Sequence, residues 1–195
     1  MKTRDFFAEE GKDVKLKDWP TSISAIYSSK DDFQQSQKAQ IEEMSKLQNL
    51  LFAHNQFSLL LIFQAMDAAG KDGAIKNVMS GVNPQGCQVF SFKQPSAEEL
   101  DHDFFWRTTK CLPERGRIGI FNRSYYEEVL VVKVHPNYLK FQNLPKELME
   151  DKAIWEKRYE SILDLEKHLH RNGTIVLKFY LNVSKEEQRK RFLER

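Results

Sequence analysis

The run FSLLLIFQA, residues 57–65, is the feature that most limits what this chain can become. It is of strand length, and its near-continuous apolarity lacks the alternation of a sheet with one wet face, so it predicts a buried strand of a parallel sheet. Three further runs repeat the pattern: CQVFSF at 87–92, RIGIF at 117–121 and TIVLKFYLNV at 174–183. Helix-spaced segments lie between them. Strand alternating with helix predicts an α/β doubly wound sheet with helices on both faces, and such folds take ligands at the carboxyl ends of their strands.

The helices are read from period and caps. Asp31 to about His54 carries Phe33, Ile41, Met44, Leu47, Leu50 and Leu51 near helical spacing, which predicts a long surface helix. Another helix runs from Lys71 to about Gly81. A third starts at Pro95 and Ser96, with Glu99 in capping-box register, and carries DHDFFWRTTK. Ser124 with Glu127 has the same register and predicts a helix from SYYEEVLVV. Residues 146–171 read as one helix with Leu148, Trp155, Tyr159, Ile162, Leu165 and Leu169 inward, and Ser184 with Glu187 caps a last one, KEEQRKRFLER. Residues 1–30 form a polar arm, pinned by Trp19, Ile23, Ile26 and Tyr27.

AMDAAGKDG, residues 65–73, joins the first strand to its helix. Against the template G-x-x-x-x-G-K-[ST], Gly70 and Lys71 are kept, while Ala65 and Asp72 replace the first glycine and the hydroxyl. Read alone it is either a phosphate-holding loop or a packing turn with a solvated lysine; its place between strand and helix is the context the first reading demands. In that reading the loop from Ala68 and Ala69 through Gly70, Asp72 and Gly73 surrounds a phosphate, and Lys71 reaches the outer phosphates as a mobile charge. Common loops hold Mg2+ through the hydroxyl after the lysine and an acid at another strand's end. Here those positions are Asp72 and Asn122, so Asp67 is the first candidate to face Mg2+, with Mn2+ an alternative ion and Glu127 a second ligand. Asp67 is equally readable as a turn residue bonded to its own backbone.

Arg123, at a strand end, is placed to stabilise charge on a transferring phosphoryl group. Lys93 ends the second strand, and Lys76, Arg107, Arg117 and Lys133 either extend a basic track or sit on solvated faces. The terminal QRKR, 188–191, belongs to a closing lid or to a surface helix. Direct transfer needs none of the five histidines as a covalent carrier.

The 195 residues, 41% of them hydrophobic, suit one domain. With 30 basic and 28 acidic residues the net charge is +2, so no global field draws a nucleic acid and any anion site must be local. Cys87 and Cys111 have neither metal-ligand spacing nor a disulfide framework. No apolar run reaches the ~18 residues of a membrane span, and the N-terminus lacks an apolar signal core, so a cytoplasmic location is expected.

Taken together, the loop, GVNPQG, SFKQPSAEELDHDFFWR, GRIGIFNRSYYEEVLVVKVHP and GTIVLKFYLNVSKEEQRKRFLER make the chain resemble the type 2 polyphosphate kinase family from about Leu59 to Arg195. Within it, the branch acting on both AMP and ADP is the better match. The resemblance implies a three-layer, thymidylate-kinase-like phosphate-loop fold with a helical lid, Mg2+, and homo-oligomers, dimeric or tetrameric. It implies reversible, direct in-line transfer of the terminal phosphoryl group of inorganic polyphosphate to AMP, ADP or GDP, with ATP among the products. It marks Asp67, Gly70, Lys71 and Gly73 in the loop, Asn122, Arg123 and Glu127 in a second motif, and Arg189, Lys190 and Arg191 in the lid. Other branches have aspartate where this chain has Asn122. Family members also continue beyond this length, so 184–195 would only begin the lid, the C-terminal third being absent. The rival readings are an ATP-dependent kinase of a nucleotide or small metabolite and a non-catalytic polyphosphate-binding subunit.

Overall fold

In the computed structural model, which describes residues 3–194, the chain folds as α1 (Lys30–His54), β1 (Ser58–Ala65), α2 (Lys71–Val78), β2 (Cys87–Ser91), α3 (Ala97–Leu100), α4 (Trp106–Thr109), β3 (Ile118–Asn122), α5 (Lys146–Met149), α6 (Ile154–Arg171), β4 (Thr174–Leu181) and α7 (Lys185–Leu193). Residues 1, 2 and 195 of the expected arm and lid lie outside the described residues. The four strands are all parallel in the order β2-β3-β1-β4, with β1 and β3 inside. Leu59 stands opposite both Ile118 and Ile175, and Phe63 opposite Asn122 and Phe179.

Successive β1 side chains point to opposite faces. Leu60 and Ile62 join Phe121, Tyr125, Val129, Ile162 and Leu169 under α6, while Leu61 and Phe63 join Ile75, Ile118 and Ile120 beneath α1 and α2. That is the expected three-layer α/β architecture. The strands differ in cover: β3 is buried throughout, whereas β4, an outer strand of the sheet described, leaves Ile175, Leu177, Phe179 and Tyr180 exposed.

Several expectations need correction. In α1, Leu47 and Leu50 are 58% and 66% exposed and Gln48 is the buried residue, because the inward face meets the Asn83–Gly86 turn; a Cβ on Gly86 would strike the Gln48 amide. The helix expected over DHDFFWRTTK is two single turns, α3 and α4, since Asp103 accepts the Phe105 amide at 2.9 Å and starts a new turn. Likewise 146–171 divides into α5 and α6 where Asp151 accepts the Ala153 amide at 2.9 Å and pairs with Lys157 at 2.6 Å, leaving Leu148 and Tyr159 exposed. The Ser96–Glu99 capping box forms as expected, and Ser184 caps α7 through the Glu187 amide at 3.2 Å. In the arm, Ile23 and Ile26 are exposed, while Tyr27 packs edge-on against Phe33 of α1 at 5.2 Å between ring centroids and Asn182 donates to the Trp19 carbonyl at 3.2 Å, so Tyr27 and Trp19 are the expected residues that hold it. Among the described residues, no helix is long and apolar enough to cross a membrane.

Candidate active site

The carboxyl ends of β1 and β3 carry two short connections that face each other. The first, 66–70, turns through Ala68 at φ 58° and Gly70 at φ 91°, the left-handed region that costs an alanine and suits a glycine. A side chain at Gly70 would also meet the Arg191 guanidinium at 3.1 Å. Gly73, by contrast, has open space on its Cβ side, as a surface approached by a ligand requires. Lys71 bends back over this turn and donates to the Ala65 carbonyl at 3.0 Å and the Met66 carbonyl at 3.5 Å.

The second connection starts at Asn122, and Arg123 takes φ 66°, strain that the fold holds by donating its amide to the Phe63 carbonyl at 3.0 Å. The expected Ser124–Glu127 capping box does not form. Ser124, fully buried, accepts from the Tyr126 amide and from Gln64, each at 3.1 Å, so Glu127 is free to meet Arg123 at 3.4 Å. A π-helical turn, Glu128–Val132, follows in place of an α-helix. Arg123 also donates to Asp67 at 3.0 Å, which ties the two connections together, and Asn122 donates to Asp72 at 2.5 Å. Burial, and then the Arg123 charge, push the Lys71 ammonium below its usual pKa, while Asp67, Glu127 and Asp72 offset part of that shift. Four of the expected groups, Asp67, Asp72, Arg123 and Glu127, thus act on one ammonium.

The other expected residues separate. Lys93 lines the adjoining cleft, Lys76 is exposed on α2, and Lys133 is held by the Tyr159 hydroxyl at 3.2 Å. Arg117 does not extend the basic track and takes the other of its two readings: it precedes β3, at the opposite end of the sheet, where it donates to the Gln85 carbonyl at 2.5 Å and pairs with Glu114. In α7 only Arg191 of the three lid cations is seen on the loop, donating to the Ala68 carbonyl at 3.3 Å, while Lys190 pairs with Glu194. Gln188 donates to the Asp67 carbonyl at 2.8 Å; it was missed because an uncharged residue in a basic run carries no signal.

The cleft beside Arg123 holds about 360 Å³. Its lining mixes cationic Lys93, Arg107 and Arg123 with apolar Phe104, Val131 and Phe141. Behind it, buried Glu128 pairs with Arg158 at 3.3 Å and accepts from Gln142 at 2.9 Å. Burial pushes the Glu128 carboxyl up, and Arg158 pulls it back.

Oxygen donors of this kind suit a hard cation. Among the described residues no three His, Cys, Asp or Glu side chains group closely enough to enclose one. Asp67 and Asp72 are donors of the kind Mg2+ takes, one or two carboxylates with substrate phosphates and waters completing the shell.

The family model described as Polyphosphate kinase 2 (PPK2) matches residues 27–195. The chain belongs to that family. Among PPK2 relatives, the ADP-polyphosphate phosphotransferase of Rhodopseudomonas palustris is 59% identical over 195 residues, spanning the whole chain and 68% of that protein. The AMP/ADP-polyphosphate phosphotransferase of Meiothermus ruber is 46% identical over 152 residues, 78% of the chain and 52% of the relative. The crystal structure of polyphosphate kinase 2 from Arthrobacter aurescens TC1 superposes with a TM-score of 0.83 at 37% identity, covering 97% of this chain and 64% of that one. The PPK2 fold is therefore that of the four-stranded sheet described above.

Proposed function

We propose that residues 1–195 form one phosphate-loop kinase unit that moves the terminal phosphoryl group of inorganic polyphosphate onto AMP, ADP or GDP, reversibly and by direct in-line displacement. The observation that carries this reading is the bonding of the loop to the second motif, Arg123 to Asp67 and Asn122 to Asp72, beside a cleft that Arg123 and Glu127 line. Polyphosphate lies along the loop, its terminal phosphate held by Lys71 and by amides at the start of α2. The acceptor's phosphate enters from the cleft past Lys93, Arg107 and Arg123, and its base rests on the apolar part of the lining.

An oxygen of the acceptor phosphate forms a bond to the terminal phosphorus as the bridging P–O bond to the chain breaks, and polyphosphate leaves one unit shorter. An acceptor already ionised gives up no proton, so positioning and charge stabilisation carry the catalysis. Lys71 and Arg123 stabilise charge on the transferring group, and Glu127 and Asp67 hold the Arg123 fork in place. Mg2+, when bound, neutralises phosphate charge; a carboxylate of the loop region would hold it, Asp67 being the candidate the sequence offers first, with Mn2+ as substitute. Arg191 and Gln188, on the start of the lid, shield the loop from water.

A homo-oligomer, dimer or tetramer, belongs to the same reading, and sedimentation tests it. With Mg2+, polyphosphate and ADP, ATP forms, and Lys71→Ala slows it by about 10²–10³-fold. ATP as sole donor with AMP is the discriminating arm: turnover there without turnover from polyphosphate overturns the proposal in favour of an ATP-dependent kinase. Binding of polyphosphate with no transfer in any arm favours a non-catalytic subunit.

A further inference from the structure

The hydrogen bond between Asn122 and Asp72 joins two positions that phosphate-loop enzymes commonly fill the other way round. Such enzymes place a hydroxyl directly after the loop lysine and a carboxylate at the end of a neighbouring strand, both facing the metal ion. Here the residue after Lys71 is the carboxylate and the strand end is neutral. The contact between them survives, with Asn122 Nδ2 donating to Asp72 Oδ1 at 2.5 Å. We propose that the acid and neutral members of this pair have exchanged places, so that Asp72, aimed by Asn122, is the carboxylate the chain presents to the divalent cation. The inference rests on the phosphotransferase reading and assigns the metal-facing charge within it.

Three observations favour the exchange. Both arrangements carry one negative charge, so the exchange keeps the pair's charge and relocates it. Asn122 is 9% exposed at the end of a fully buried strand, where an ionised group is costly, whereas Asp72 is exposed in the first turn of α2, where the helix dipole favours an anion. An amide directed at a carboxylate donates through its NH2 group, which fixes one Asp72 oxygen and leaves the other and further lone pairs open. Asp67 is less well set for the task, since its Oδ1 is paired at 3.0 Å with the Arg123 cation, which competes with a metal ion, whereas the partner of Asp72 is neutral.

The test is Mn2+ binding followed by electron paramagnetic resonance with polyphosphate present and no nucleotide, so that no turnover enters the readout. Asp72→Asn and Asp72→Ser, both at an exposed position that leaves the fold intact, bind Mn2+ at least about tenfold more weakly than the parent chain. Asp72→Ser combined with Asn122→Asp recreates the common arrangement and returns the affinity towards that of the parent chain. Unchanged Mn2+ affinity in Asp72→Asn overturns the inference, as does a double variant no better than Asp72→Ser alone. A parent chain that binds no Mn2+ in the presence of polyphosphate overturns the phosphotransferase reading along with it.

Discussion

The two connections that meet at Lys71 are built in opposite ways. The loop at 66–70 takes its turn from its own residues: Gly70 supplies the left-handed conformation, the Ala69 amide donates to the Met66 carbonyl at 3.3 Å, and Lys71 folds back onto Ala65, with Gln188, Arg191 and Arg123 bonding to its surface from outside. The turn at 123–128 is held from afar. Gln64 on β1 reaches Ser124, Glu166 on α6 accepts from the Tyr125 and Tyr126 hydroxyls at 3.0 and 2.8 Å, Lys178 on β4 pairs with Glu166 at 2.6 Å, and Arg158 pairs with Glu128. Locally held structure can be altered for chemistry without loosening the fold. Structure held by three other elements couples activity to stability.

The difference is broken most severely at Arg158. Arg158→Leu leaves Glu128 buried without its cation, and chemical denaturation should show a loss of about 3–5 kcal/mol. Lys71→Ala is the contrasting case: kcat falls by about 10²–10³-fold, about 3–4 kcal/mol of charge stabilisation, while the melting temperature scarcely moves. Ser124→Ala removes the acceptor of the buried Gln64 amide and should cost about 1–3 kcal/mol, with a fall in activity as the Arg123 turn loosens. If Ser124→Ala proves as stable as the parent chain, the turn is locally held after all.

The smallest effect is a fractional proton. The Lys71 pKa is lowered in the free protein, chiefly by burial, and bound phosphates raise it again. Between the two values, binding polyphosphate takes up a proton, so affinity falls as pH rises through that window. Calorimetry in buffers of different ionisation enthalpy measures the uptake, and Lys71→Ala should abolish it.

The same contrast explains which parts of the site were legible. Gly70 and Lys71 are adjacent, follow a buried strand and precede a helix, so their meaning is carried by contiguous residues. The Ser96–Glu99 box was legible for the same reason. Ser124 with Glu127 has identical spacing and failed, because Gln64 and the Tyr126 amide take the hydroxyl and Arg123 takes the carboxylate. Gln188 and Glu166 were invisible, since each acts on a partner more than 30 residues away in sequence. Periodicity placed α1 to within a residue of its observed span, but it registers apolarity alone and so did not show that the helix turns Gln48 inward and Leu47 and Leu50 outward.

What the sequence by itself determined is the alternation of strand and helix, the parallel sheet, the loop that ends in Gly70 and Lys71, and the pair of motifs that mark the family. These follow from local chemistry: apolar runs that must be buried, glycine where φ is positive, caps three residues apart. Only the tertiary structure decided that Arg123 bridges to Asp67, that Asn122 bonds Asp72, that Arg117 lies at the wrong end of the sheet and that one lid arginine reaches the loop. The physical reason is distance along the chain. A side chain that finds its partner across the sheet leaves no pattern among its neighbours, and its role exists only once β1, β3 and α7 have been brought together.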